Sequence, residues 1–278
     1  MQNKFNSIID NLTARGLKEV QGDYYIDNIL YCHKCNTPKS CEITIFDSNR
    51  VVSCLCKCEI ERREEEKKEI RQKEFKRTVA RNKNIGFPES EMQEWTFAND
   101  DCKNPKITNA MHKYVDNFNE LSKNGKGLLL YGDVGTGKTY YAACIANALI
   151  ENGYTALMTN FSRVTNTIQG LFEGKQEYLD SLNRFSLLIL DDLGIERDTA
   201  YMKEQVFNII DSRYRTGKPM IVTTNLSLAQ MTNCDDIDRK RIYDRIIERC
   251  HPIEVKGESR RIAGARQEFK DMNNLLGL

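Results

Sequence analysis

The chain has almost no net charge: 41 Lys and Arg stand against 40 Asp and Glu. No global field therefore draws it to nucleic acid or a membrane surface, and any polyanion binding must come from local patches. Nowhere do 18 apolar residues run together. The first thirty residues, with Asp10, Glu19, Asp23 and Asp27 among short apolar runs, lack a basic-then-apolar leader. The expectation is a soluble, cytoplasmic protein with no membrane partner. Internal repeats are absent, and so is low-complexity sequence outside one charged stretch. Without a leader, the ten cysteines point to metal ligands or buried thiols in a reducing compartment rather than to disulfides.

What is present suffices, at 278 residues, for one sizeable α/β core and a smaller appendage. Cys32-x2-Cys35 and Cys54-x-Cys56-x-Cys58 form two clusters about twenty residues apart, with Cys41 between them. That spacing predicts a structural Zn²⁺ knuckle, in which four sulfurs close a tetrahedron and replace the core that so short a segment cannot build. The expected ligands are Cys32, Cys35, Cys56 and Cys58, with Cys54 as the substitute for one of the last two; His33 and Cys41 are read as bystanders. Residues 59–83, rich in Glu, Lys and Arg and free of Gly and Pro, predict a charged connecting helix that "NIGFP" at 84–88 ends. The expected organisation is a zinc-binding module over 1–58, a helical linker over 59–94 and a larger domain over 95–278.

From residue 107 onward short apolar runs alternate with longer helical stretches, the pattern of a parallel sheet with crossover helices. "GLLLY" (127–131), "TALMT" (155–159), "LLILD" (187–191), "MIVTT" (220–224) and "PIEV" (252–255) are the expected strands. Helices are expected at about 138–151, 161–173, 200–216 and 238–249.

Gly132-Asp133-Val134-Gly135-Thr136-Gly137-Lys138-Thr139 fits G-x-x-x-x-G-K-[ST], directly after an apolar strand and directly before a helix. Glycines let the backbone curl so that its N–H groups point at phosphate oxygens, and the following helix adds its positive end. This predicts a cradle for MgATP, with Lys138 on the β and γ phosphates and the Thr139 hydroxyl on Mg²⁺. "LLILDDLG" offers Asp191 as the carboxylate for the metal and Asp192 where a residue polarising the attacking water would stand, so hydrolysis is chemically available. Asn225, ending "PMIVTTN", is placed either to contact the γ-phosphate or the attacking water, or to terminate a strand.

"GLLLYGDVGTGKT", "LLILDDLGIER" and "FNIIDSRYRTGKPMIVTTNL" together resemble the AAA+ ATPase core of the DnaC/DnaI-like bacterial helicase loaders, a core shared with the IstB transposition ATPases. The resemblance covers roughly residues 95–265. It implies a five-stranded parallel sheet with the phosphate-loop strand at its centre and a reduced or absent C-terminal helical lid. It further implies that Arg245, or Arg249 one turn on, is an arginine finger reaching the γ-phosphoryl group of a neighbouring subunit. Arg260, or Arg261 beside it, is then the arginine that reads the γ-phosphate within its own subunit. A finger acting in trans requires an ATP-dependent homo-oligomer. By the same resemblance the N-terminal module docks on a replicative hexameric helicase, as in phage-type loaders with Cys-rich modules, and single-stranded DNA is a partner.

Ser162, Arg163 and Thr165 are candidate DNA contacts; the resemblance places the segment of Trp95 and Phe97 near the adenine, and their i,i+2 spacing equally suits plain core residues. The alternative function is an IstB-like transposition regulator on duplex DNA, and a further one a nucleotide-gated switch without turnover. A small-molecule kinase would need an acceptor domain, and no segment supplies one.

Overall fold

The computed structural model describes residues 19–45, 48–196 and 198–276, and the chain forms two compact units that part between Lys76 and Arg77. Asp10, and with it the first eighteen residues of the expected zinc module, lies outside the described residues.

The N-terminal unit is built on two hairpins. Strands β1 (Tyr24–Ile26) and β2 (Ile29–Tyr31) pair antiparallel across Asp27 and Asn28, both at positive φ (47° and 62°). A two-residue turn of that hand matches the twist of its strands, and Asp and Asn tolerate it. Strands β3 (Ser40–Ile45) and β4 (Ser48–Ser53) form the second hairpin, and Lys57–Gly86 is one helix, α1, of 30 residues. Helix α1 begins just before the expected charged stretch and stops within "NIGFP"; near its start Glu59 accepts hydrogen bonds from both Arg62 and Arg63.

The second unit holds a five-stranded parallel sheet of β5 (Gly127–Tyr131), β6 (Ala156–Asn160), β7 (Leu187–Leu193), β8 (Met220–Thr224) and β9 (Cys250–Glu254), in the order β6-β7-β8-β5-β9. The expected five strands are all present. The phosphate-loop strand β5 is not central, however: β8 is. The crossover leaving β5 runs to the far edge before the chain works back through β7 and β8, so β5 keeps only β9 on its other side. The helices are α2 (Pro105–Asp116), α3 (Phe118–Lys123), α4 (Lys138–Glu151), α5 (Phe161–Gly170), α6 (Lys175–Leu182), α7 (Ala200–Arg215), α8 (Leu228–Thr232), α9 (Ile237–Arg249) and α10 (Arg260–Leu276). The C-terminal helical element implied as reduced or absent is present as this single helix, α10.

Alternation along the strands divides the core into two layers. Leu128 and Leu130 face Met111, Phe118, Ile145 and Leu149 on one side. Leu129, Leu188, Leu190 and Val222 face Phe161, Val164, Ile210 and Ile246 on the other. Each such side chain, buried completely, contributes about 1.5–3 kcal/mol. No helix among the described residues is long and apolar enough to cross a membrane.

Several polar side chains lie inside this packing, and Arg213 is the largest of them. Arg213 is fully buried, and its guanidinium donates to Phe185 O (3.1 Å), Ser186 O (3.1 Å) and Pro219 O (2.7 and 3.2 Å). Burial pulls its pKa down to about 10, which still leaves it charged at neutral pH. Arg213→Met is expected to destabilise the second unit by about 4 kcal/mol, because three carbonyls, that of Pro219 buried and those of Phe185 and Ser186 half-buried, lose their donor at once. Urea unfolding measures this, and a loss below about 1 kcal/mol would show that water replaces the guanidinium.

Candidate nucleotide and metal sites

The phosphate loop leaves β5 at Gly132 and enters α4 at Lys138. Gly132 has φ 139°, and a Cβ there would sit 2.5 Å from Val255 O; Gly137, the N-cap of α4, has φ 98°. Both positions exclude a side chain, the first by clash and the second by conformation. Lys138 is 5% exposed, and its Nζ donates to Gly132 O (2.9 Å) and Asp133 O (2.6 Å), while the Thr136 hydroxyl bonds Asp133 O. Burial lowers the Lys138 pKa, opposed by the charges of Asp192 and Asp191.

Beside the loop stands the end of β7. The hydroxyls of Thr139 (3.0 Å) and Thr223 (2.6 Å) both donate to Asp191 Oδ1. Burial raises the pKa of Asp191, partly offset by the Thr223 hydrogen bond. Asp192 has φ 60°, and its N–H donates to Thr223 Oγ1 at 2.9 Å; the β7–β8 register shifts between Leu190 and Leu193. A left-handed residue other than glycine costs about 1–2 kcal/mol. Here that conformation, within a local bulge, brings Asp192 into the cleft.

Val134, Gly135, Gly137, Lys138, Thr139, Asp192, Asn225, Arg260 and Arg261 line one cleft of about 480 Å³. Trp95 and Tyr140 form another wall, with ring centroids 6.0 Å apart. Both aromatics that the sequence left equivalent pack against the core, but only Trp95 also lines the cleft, whereas Phe97 stacks on His112. The side chains also fit the expected metal. The Thr139 hydroxyl and the Asp191 carboxylate stand 3.0 Å apart beside the loop, oxygen donors of the kind Mg²⁺ takes directly or through its water shell.

Arg245 lies elsewhere. Its guanidinium stacks over Phe207 at 4.5 Å and flanks Tyr214 at 5.7 Å. Its Nε is 2.9 Å from Asp211 Oδ1, but the N–H misses the carboxylate, so this is a charge contact and not a hydrogen bond. Arg249 stacks on Tyr214 at 4.7 Å. Of the candidate DNA contacts, Ser162 and Arg163 are exposed, but Thr165 is buried and donates to Phe161 O, which withdraws it. Thr223, Tyr140, Asp100 and Asp101 escaped the sequence reading, because their places depend on strand order and on contacts between distant segments.

In the N-terminal unit the sulfurs of Cys32, Cys35, Cys56 and Cys58 all lie within 4.8 Å of one another, with Cys32 to Cys58 at 3.6 Å and Cys56 to Cys58 at 3.4 Å. Tetrahedral Zn–S bonds of about 2.3 Å place sulfurs about 3.8 Å apart, so the set fits zinc. Cys54 points away, toward Pro38 O. The Thr37 hydroxyl and the Cys58 backbone N–H pull the Cys35 thiol down to about 6, and backbone N–H groups of Cys35 and Lys34 lower Cys32. His33 Nδ1 lies 2.9 Å from the buried carboxylate of Asp23, which also pairs with Lys39. Those contacts hold the Asp23 pKa well below the usual carboxylate range, with Lys39 the larger influence.

Against known proteins, the profile of the IstB-like ATP binding proteins matches residues 60–268. The replicative helicase loader DnaI of Bacillus subtilis is 29% identical over 182 residues, 60% of this chain and 58% of that protein. The replicative helicase loader DnaC of Escherichia coli is 26% identical over 142 residues, 50% of this chain and 57% of that protein. The chain therefore spans less than two thirds of the length of these relatives. Among solved structures, the crystal structure of DnaI superposes with a TM-score of 0.54 at 26% identity, covering 65% of this chain and 99% of that one.

Proposed function

Because the chain belongs to the family of IstB-like ATP-binding proteins, we propose that it loads a replicative hexameric helicase onto single-stranded DNA. In this reading it assembles with ATP and is released by hydrolysis. The observation that carries the proposal is the cleft lined by Lys138, Thr139, Asp192 and Asn225, with Asp191 bonded to Thr139 beside it, on a chain similar to two proteins named as replicative helicase loaders.

Lys138 and the loop N–H groups bind the phosphates, Thr139 and Asp191 hold Mg²⁺, and Asp192 orients the attacking water. When bound, the metal neutralises charge on the β and γ oxygens. Asn225 and Arg260 face the γ-phosphate from the same subunit, and Arg245 completes the site of a neighbour. The Cys32, Cys35, Cys56 and Cys58 set holds zinc and shapes the unit that docks on the helicase.

The test is reconstitution. Zinc-loaded protein is expected to co-purify with the replicative helicase of its source and to place it on circular single-stranded DNA in an ATP-dependent manner. No association with a folded N-terminal unit would sink the proposal. The family match also admits a transposition regulator. ATP-dependent assembly on duplex DNA, without helicase binding, would select that reading.

A further inference from the structure

Arg260 opens α10, yet its guanidinium is gripped from outside that helix. Nη2 lies 3.0 Å from Asp101 Oδ1 and 3.3 Å from Tyr141 Oη, and Nη1 lies 3.6 Å from Asp100 Oδ1. The Asp100 side chain is fully buried. Its Oδ2 accepts the Thr108 hydroxyl at 2.5 Å, while Oδ1 has no hydrogen-bond partner and meets the arginine as a charge contact only. The Nε side of the same guanidinium lies against the phosphate loop. A Cβ added to Gly137 would fall 3.3 Å from Arg260 Nε, and the Arg260 backbone N–H donates to Gly135 O at 2.9 Å. A guanidinium presents five donors in a fixed plane, so anchoring one edge to acids directs the other.

The two acids end a strip fixed to α4. Asn147 Nδ2 donates to Met92 O and Trp95 O, both at 2.9 Å, and Tyr140 Oη donates to Thr96 O at 2.9 Å. Trp95, near the start of the strip, is a wall of the cleft. We propose that Asp100 and Asp101 are positioning residues that set Arg260 against the terminal phosphate of a bound nucleoside triphosphate. Residues 95–101 thereby tie the Trp95 wall of the cleft to α10. The proposal rests on the reading of Arg260 as the arginine that senses the γ-phosphate.

The experiment compares the affinity of the full chain for ADP and for a non-hydrolysable ATP analogue by titration calorimetry. Arg260→Ala is expected to abolish the preference for the triphosphate. Asp101→Asn and Asp100→Asn should reduce that preference about fivefold or more while ADP affinity stays within about twofold, as for a coupling that acts through one phosphate. Asp101→Glu should restore it. Thr108→Val, which frees the Asp100 carboxylate, should act in the same direction, so the test survives if Asp100→Asn fails to fold. The proposal is overturned if Asp101→Asn and Thr108→Val keep or raise the preference while Arg260→Ala loses it, because the acids would then be bystanders or competitors. If Arg260→Ala itself keeps the preference, the sensor reading fails and the proposal goes with it.

Discussion

Arg245→Ala is expected to slow ATP turnover about a thousandfold while leaving nucleotide affinity nearly unchanged, the contribution typical of an arginine finger. In its own chain Arg245 contacts Phe207, Asp211 and Tyr214 of α7 and the Arg241 carbonyl of α9. None of these lines the nucleotide cleft. Removing the guanidinium therefore takes no direct contact from its own subunit's cleft, and its direct effect on phosphoryl transfer lies in the site of another copy, where it would stabilise charge developing on the γ-phosphoryl group. Single-turnover hydrolysis at saturating ATP, set beside analogue binding, separates the cases. Equal loss of binding and turnover would place the residue in its own subunit's site, and unchanged turnover would leave Arg249 as the finger candidate. Mixing Arg245→Ala copies, which keep an intact loop, with Lys138→Ala copies, which keep an intact finger, should restore part of the activity.

Removing zinc should have the largest effect on structure. The two hairpins are short, and few of their apolar side chains are buried, Leu30 being the main exception; Tyr24, Tyr25, Ile26, Ile43 and Val51 are all exposed. On the proposed reading, a unit with so little core depends on the metal that its four cysteines would hold, and structural zinc contributes about 10–16 kcal/mol in such small domains. Chelation is therefore expected to unfold the hairpins and expose them to protease, while the second unit, with its own two-layer core, continues to bind ATP. Cys35→Ser and Cys56→Ser should reproduce the effect and Cys54→Ser should not. Stoichiometric zinc retained in Cys35→Ser, or hairpins equally protected before and after chelation, would refute the assignment.

Much of the nucleotide cleft was legible because its chemistry is local. Gly132 to Thr139 is one contiguous loop, and Asp191 and Asp192 end one apolar run, so periodicity and spacing place them without knowledge of the fold. The two cysteine clusters are legible in the same way, but Cys54 stays an alternative at that level, and only the folded hairpins bring Cys56 and Cys58, without Cys54, together with Cys32 and Cys35. What could not be read are relations between distant segments. Thr223 holds Asp191 across 32 residues, and Asp101 meets Arg260 from far earlier in the chain. The off-centre place of β5 likewise follows from strand order, which no local pattern encodes. Helix α2 does carry a local signal: Asn104 caps it, accepting from Ile107 N, and Pro105 stands at its start.

The buried Arg213 has a consequence beyond stability. Phe185 and Ser186 immediately precede β7 and Pro219 immediately precedes β8, so one guanidinium bridges the starts of two parallel strands. It fixes their alignment, with Leu188 opposite Met220, from the end of the sheet away from the phosphate loop. A slip of one residue would turn every side chain of a strand to the other face. Asp191 would then leave Thr139 and Thr223. Arg213 thus works as an alignment pin, setting from the far end of the sheet which face of β7 the nucleotide meets.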